Sequence, residues 1–86
     1  MYKVHFSKRV FKFFNKRNSK FKEKFVNLFD EIGRNPFIGN LDIKPLRGHK
    51  NHYRLRMGKY RVLFEVRQDD RVVICYDADS RGGAYK

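Results

Sequence analysis

The stretch Tyr53–Val66, YRLRMGKYRVLFEV, constrains the fold more than any other part of the chain. Two runs rich in β-branched and aromatic residues flank Gly58-Lys59, a Gly-X pair suited to a two-residue hairpin loop. That loop sets Met57 opposite Tyr60, Arg56 opposite Arg61, Leu55 opposite Val62 and Arg54 opposite Leu63. Side chains alternate between the faces of a sheet. One face then carries Tyr53, Leu55, Met57, Tyr60, Val62, Phe64 and Val66. The other carries Arg54, Arg56 and Arg61, close together. Like charges directly opposite in a sheet cost roughly 0.2–1 kcal/mol, and Glu65 is the only carboxylate within the hairpin. A local cost without local compensation marks either a functional surface or a solvated basic face.

The rest of the chain supplies elements to cover the apolar face. Tyr2–Phe6 alternates and reads as a short strand. Ser7 is a candidate N-cap for a helix from Lys8 to Arg17 with Val10, Phe13 and Phe14 on its inner stripe. Asn18-Ser19 interrupts it, and Ser19 is placed to cap a second helix. There Phe21, Phe25, Leu28, Phe29 and Ile32 fall at i, i+4, i+7, i+8 and i+11, the spacing of one helix face. A phenylalanine stripe of this kind packs on a sheet more readily than on a membrane. Gly33 stands where a left-handed C-cap belongs, and Asn35-Pro36 stops continuation. Lys44–Arg47 reads as a short segment that Pro45 confines to a sheet edge, and Gly48–Asn51 as a turn. After the hairpin and a turn at Gln68–Asp70, Arg71–Tyr76 is apolar on both faces, as in an interior strand. The expected fold is α+β, with two N-terminal helices on a small, mainly antiparallel four-stranded sheet in β-α-α-β-β-β order.

Eighty-six residues fit one domain spanning 1–86. A chain this short buries only ~60–65% of its unfolded surface, so the nine Phe and five Tyr must supply the core. The formal net charge of +12, from 21 Lys+Arg against 9 Asp+Glu, implies a polyanionic partner: nucleic acid, an acidic protein or an anionic membrane. No apolar run is long enough to span a bilayer, and no signal peptide is evident. The single Cys75 excludes an internal disulfide, is compatible with a reducing compartment, and reads as a core residue. His5, His49 and His52 do not make a recognisable metal spacing, and no metal or other cofactor is expected.

Asn35-Pro36, then Lys44-Pro45-Leu46-Arg47-Gly48, the hairpin Tyr53–Val62 and the terminal Arg81-Gly82-Gly83-Ala84-Tyr85-Lys86 follow in a telling order. In that order and spacing, over nearly the whole chain, they resemble the RelE/ParE superfamily of toxin–antitoxin toxins. The final Arg-x-x-x-Tyr resembles the RelE-like branch. The resemblance implies a cytoplasmic toxin that enters the ribosomal A site and cuts messenger RNA without a metal, and that a cognate antitoxin inhibits. It implies active positions at Arg54, Arg56, Arg61, Arg81 and Tyr85. Lys44, Arg47, Lys50, His52 and Lys59 flank them as candidate phosphate contacts. Arginine forks match phosphate oxygens, and Tyr85 is suited to stack on a base. Relatives often carry lysine at the positions of Arg54 and Arg56. Arginine effectively cannot lose its proton, which leaves His52, Lys59 and Tyr85 as candidate bases, or a purely electrostatic mechanism. Two other readings share the same features: a ParE-like, gyrase-inhibiting toxin, and a non-catalytic basic RNA- or ribosome-binding module.

Overall fold

The computed structural model describes residues 1–37, 39 and 41–80. In chain order the elements are β1 (Lys3–Phe6), α1 (Lys8–Asn15), α2 (Ser19–Arg34), β2 (Ile43–Pro45), β3 (His52–Met57), β4 (Tyr60–Arg67) and β5 (Val72–Ser80). The strands form one sheet in the order β1-β5-β4-β3-β2. β1 runs parallel to β5, and the remaining pairs are antiparallel. The two helices and the antiparallel hairpin are as the sequence predicts. The fifth strand is β2, the short segment before the hairpin, and its Pro45 lies on the sheet edge, where a missing N–H is tolerated.

The hairpin register is the expected one, with Met57 opposite Tyr60, Arg56 opposite Arg61, Leu55 opposite Val62 and Arg54 opposite Leu63. Gly58 turns at φ 57°, the left-handed geometry that the first residue of such a loop demands. Leu55, Met57, Val62, Phe64 and Val66 are buried, together with Val73, Cys75 and Ala78 of β5. Both helices cover this face. Val10, Phe25, Phe29 and Ile32 complete the core. Phe21 and Leu28, expected inside with them, are half-buried, and Phe21 leans edge-on against Tyr60 at 4.8 Å between ring centres. Phe25 is the hub of the aromatic cluster, with ring centres 4.9 Å from Phe14 and 5.0 Å from Phe29. No helix among the described residues is long and apolar enough to cross a membrane.

Three local expectations are corrected. α1 stops at Asn15 rather than Arg17, because the amides of Lys16 and Arg17 turn back to the carbonyls of Phe13 and Phe14 and tighten the final turn. The cap of α2 is Asn18 and not Ser19. Asn18 Oδ1 accepts the Phe21 amide at 2.9 Å, and asparagine caps as well as serine does. Gly33 is not a left-handed terminator: it lies inside α2, which ends at Arg34 with extended Asn35 before Pro36. Its role is close approach. A Cβ there would sit 3.2 Å from the Tyr2 carbonyl oxygen and from Val4 Cγ2, and the Gly33 carbonyl accepts the Tyr2 amide at 2.6 Å. The helix end is thereby locked to the edge strand β1.

Because Phe25 is fully buried at the centre of the ring cluster, Phe25→Ala is expected to lower unfolding free energy by about 3–5 kcal/mol. A urea titration checks this, and an unchanged midpoint would contradict the core placement.

Candidate nucleic-acid interface

The face of the sheet turned away from the helices carries the charged residues, and the strand registers arrange them in rows. One row runs from Asp42 through Arg56 and Arg61 to Asp79, since the Arg56 amide bonds the Asp42 carbonyl and Arg61 lies opposite Asp79. The next holds Lys44, Arg54, Leu63 and Asp77. A third holds His52, Glu65 and Ile74, with His5 of β1 at its end. Arg54, Arg56 and Arg61 therefore share one face, as the hairpin sequence predicts.

The arginines are not left to repel one another. Asp42, in the loop entering β2, lies between two of them, with Oδ1 3.6 Å from Arg54 and Oδ2 3.7 Å from Arg56. No carboxylate other than Glu65 is visible within the hairpin sequence, and the neutralising group comes instead from a separate segment. The two guanidiniums are unequally available. The Arg54 side chain is only 9% exposed, whereas that of Arg56 is 37% exposed. The Arg56 Nε–H itself is shielded from solvent and has no hydrogen-bond acceptor among the described residues. Arg54 is thus the more enclosed of the two, and Arg56 keeps part of its guanidinium on the open face.

At the other end of the face, β5 contains an irregularity. Phe64 pairs with Cys75 but Leu63 pairs with Asp77, so Tyr76 is an extra residue in the strand. This β-bulge turns the Tyr76 and Asp77 side chains to the same side of the sheet. The Tyr76 hydroxyl lies 2.9 Å from His52 Nδ1, and the rings meet edge-on at 5.3 Å. Burial, then the Asp77 and Glu65 carboxylates, push the Tyr76 phenol above its ordinary range, while Arg61 pulls the other way. Asp77 is itself paired with Arg9 of α1 at 2.6 Å. Tyr76 reads in sequence as one more residue of an apolar strand. The bulge that exposes it to the charged face depends on pairing with β4 and has no local signature.

The remaining expected residues spread along the hairpin. Lys44 sits on β2 opposite Arg54 and is exposed. Arg47 and Lys50 are exposed in the turn before β3, and Lys59 is exposed at the hairpin tip, its Nζ 5.5 Å from the Tyr60 ring centre. His52 joins the face at the start of β3, beside His49 at 5.7 Å between rings. Arg81 and Tyr85 lie outside the described residues. Cys75 is fully buried, and burial pushes its thiol well above the ordinary range, which suits a packing role. Among the described residues no three His, Cys, Asp or Glu side chains converge as a metal site requires.

The fold and this face define a small basic α+β protein that presents clustered guanidiniums on an uncovered sheet, a class suited to binding a polyanion. Comparison with known proteins gives the family. The model described as ParE toxin of type II toxin-antitoxin system, parDE, matches residues 5–76. A protein of Methanocaldococcus jannaschii named "Putative toxin RelE1" is 37% identical over 86 residues, covering 99% of this chain and 96% of its own. Among solved structures, a chain of the archaeal RelE–RelB complex from Pyrococcus horikoshii superposes with a TM-score of 0.83 at 27% identity. It covers 94% of this chain and 96% of its own. One from the RelB–RelE antitoxin–toxin complex of Methanococcus jannaschii gives 0.77 at 26% identity, with 95% of each chain covered. The chain belongs to the RelE/ParE family of toxins of type II toxin–antitoxin systems.

The Asp42 bridge generates a prediction. Asp42→Asn leaves Arg54 and Arg56 facing each other without their shared anion and is expected to destabilise the fold by about 1 kcal/mol, a modest value because Asp42 is partly solvated. The loss should be larger in dilute buffer than in 1 M salt, on the order of a 3 Å screening length. Equal losses at both salt concentrations would show that Asp42 acts through something other than charge.

Proposed function

We propose that this toxin is a ribosome-dependent, metal-independent messenger-RNA endonuclease. The observation that carries the reading is the pairing of Arg56 with Arg61 on the sheet face that the helices leave open. The partial exposure of the Arg56 guanidinium adds to it, because guanidinium N–H groups on an open face are suited to phosphate oxygens. In this reading Arg56 and Arg61 stabilise the charge that builds on phosphorus as the 2′-hydroxyl attacks. Arg54 holds the cluster in place with Asp42. Arg81 and Tyr85, carried over from the family motif, complete the site, Arg81 as a further donor and Tyr85 against a base. Lys44, Arg47, Lys50 and Lys59 contact ribosomal or messenger phosphates and set orientation rather than sequence. Guanidinium charge supplies what a metal would otherwise supply.

The inhibitor in this reading is a cognate antitoxin with an acidic or amphipathic segment over the basic face. Two of the structural relatives are chains of RelE–RelB complexes, which supports such a partner. A second reading, a ParE-like toxin acting on gyrase, is favoured by the matching family description.

A purified translation system separates the two. The messenger should be cut only in the presence of ribosomes, leaving a 2′,3′-cyclic or 3′-phosphate end, with no loss of rate under EDTA balanced against the magnesium that ribosomes need. Arg61→Ala is expected to slow single-turnover cleavage ~100–1,000-fold, as loss of one preorganised donor does. Lys44→Ala should mainly weaken ribosome binding and flatten its salt dependence. A 5′-phosphate product would exclude 2′-hydroxyl attack, and gyrase inhibition without cleavage would establish the second reading.

A further inference from the structure

Cleavage by 2′-hydroxyl attack needs a proton acceptor, and the arginines cannot provide one. Three observations converge on the third row of the charged face. First, His52 alternates with Arg54 on β3, so the two side chains leave the same face about 7 Å apart along the strand. Second, the His52 ring is held rather than free, with Nδ1 2.9 Å from the Tyr76 hydroxyl. Third, the β-bulge that delivers Tyr76 to this face brings its phenol within the electrostatic reach of Arg61, Glu65 and Asp77. The Tyr76 hydroxyl thus holds the histidine on the same sheet face as the guanidinium to which the phosphate is assigned. By contrast, Lys59 is exposed at the hairpin tip, its Nζ lying over the Tyr60 ring.

We propose, on the reading that the protein cleaves RNA, that Tyr76 is a positioning residue and His52 the proton acceptor. The Tyr76 oxygen accepts Nδ1–H of His52 and leaves Nε2 as the basic nitrogen. Nε2 takes the proton of the ribose 2′-hydroxyl. The 2′-oxygen forms its bond to phosphorus as the bond from phosphorus to the 5′-oxygen breaks. The departing 5′-oxygen takes a proton from water, and the imidazolium later returns its own to solvent. The imidazolium stage keeps both N–H donors, so the Nδ1 contact to Tyr76 persists and stabilises it. The groups facing this ring are Glu65 on β4 directly across, His49 in the preceding turn, Arg54 on the same strand, and Tyr76 and Asp77 on β5, with Arg61 of β4 acting through Tyr76 and His5 at the end of the row. The phenol stays protonated across the neutral range, since burial and the two carboxylates raise it, and its oxygen keeps a lone pair to accept from His52.

The test compares wild type, Tyr76→Phe, His52→Gln and the double variant in single-turnover ribosomal cleavage at saturating toxin, each over a range of pH. His52→Gln should fall ~100-fold or more and lose the acid-side inflection of the rate profile. Tyr76→Phe keeps the ring and should fall about tenfold, because Nε2 is no longer held as the basic nitrogen. The double variant should be no slower than His52→Gln, since Tyr76 acts only through the histidine. A long-range ¹H–¹⁵N spectrum of the toxin should show the proton on Nδ1 in wild type and a shifted tautomer balance in Tyr76→Phe. Unchanged profiles in both single variants, or additive losses in the double, would overturn the proposal while leaving the nuclease reading intact. A wild-type protein that leaves the messenger uncut on the ribosome would overturn both.

Discussion

Gly58 turns the chain at a positive φ, Lys59 completes the two-residue loop, and Arg56 consequently meets Arg61 across the strands. Strand side chains have a period of two, so shifting this pairing by one residue would move every buried group of one strand to the solvent face. The same turn therefore fixes two things at once. It sends Leu55, Met57, Val62 and Phe64 under the helices, and it leaves Arg54, Arg56 and Arg61 together on the other side. The core enforces the register from beneath: Phe29 of α2 closes over Phe64, edge-on to it at 6.0 Å, and is itself backed by Phe25. A functional surface that would be costly by itself is thus held in place by hydrophobic burial on the reverse of the same strands.

That cost is also reduced at the surface. Carboxylates lie at both ends of the arginine row, Asp42 beside β3 and Asp79 opposite Arg61 on β5. An arrangement of this kind holds guanidiniums in a set geometry without hiding all of their donors, which is what stabilisation of developing charge requires. The net charge of the chain attracts a polyanion from a distance, but the local alternation of charge decides where and how that polyanion is held.

Much of this was legible in the sequence wherever the determining contacts are local. The Gly58-Lys59 loop specified the register, the phenylalanine spacing specified the inner face of α2, and Asn35-Pro36 marked its end. Features set by distant segments were not legible. Asp42 neutralises arginines twelve and fourteen residues away by number, through the pairing of β2 with β3. Gly33 looks like a terminator until the Tyr2 backbone is seen against it. Tyr76 reads as core because the bulge that turns it to the charged face comes from its match to β4. Asn18 and Ser19 are both good caps, and local chemistry alone does not choose between them. The resemblance of the chain to the RelE/ParE toxins proved sound, and the roles of the individual arginines stand as proposals.

The central claim is that placement on this sheet face, and not overall basicity, confers action on RNA. The most direct measurement compares two variants with the same loss of charge: Arg54, Arg56 and Arg61 all changed to Gln, and exposed Lys8 and Lys12 of α1 with Lys16 just after it all changed to Gln. Ribosome-dependent messenger cleavage should disappear in the first and stay within about threefold of wild type in the second, because distant charge contributes mainly to encounter. Equal losses in the two variants would contradict the account and reduce the arginine face to one basic surface among several.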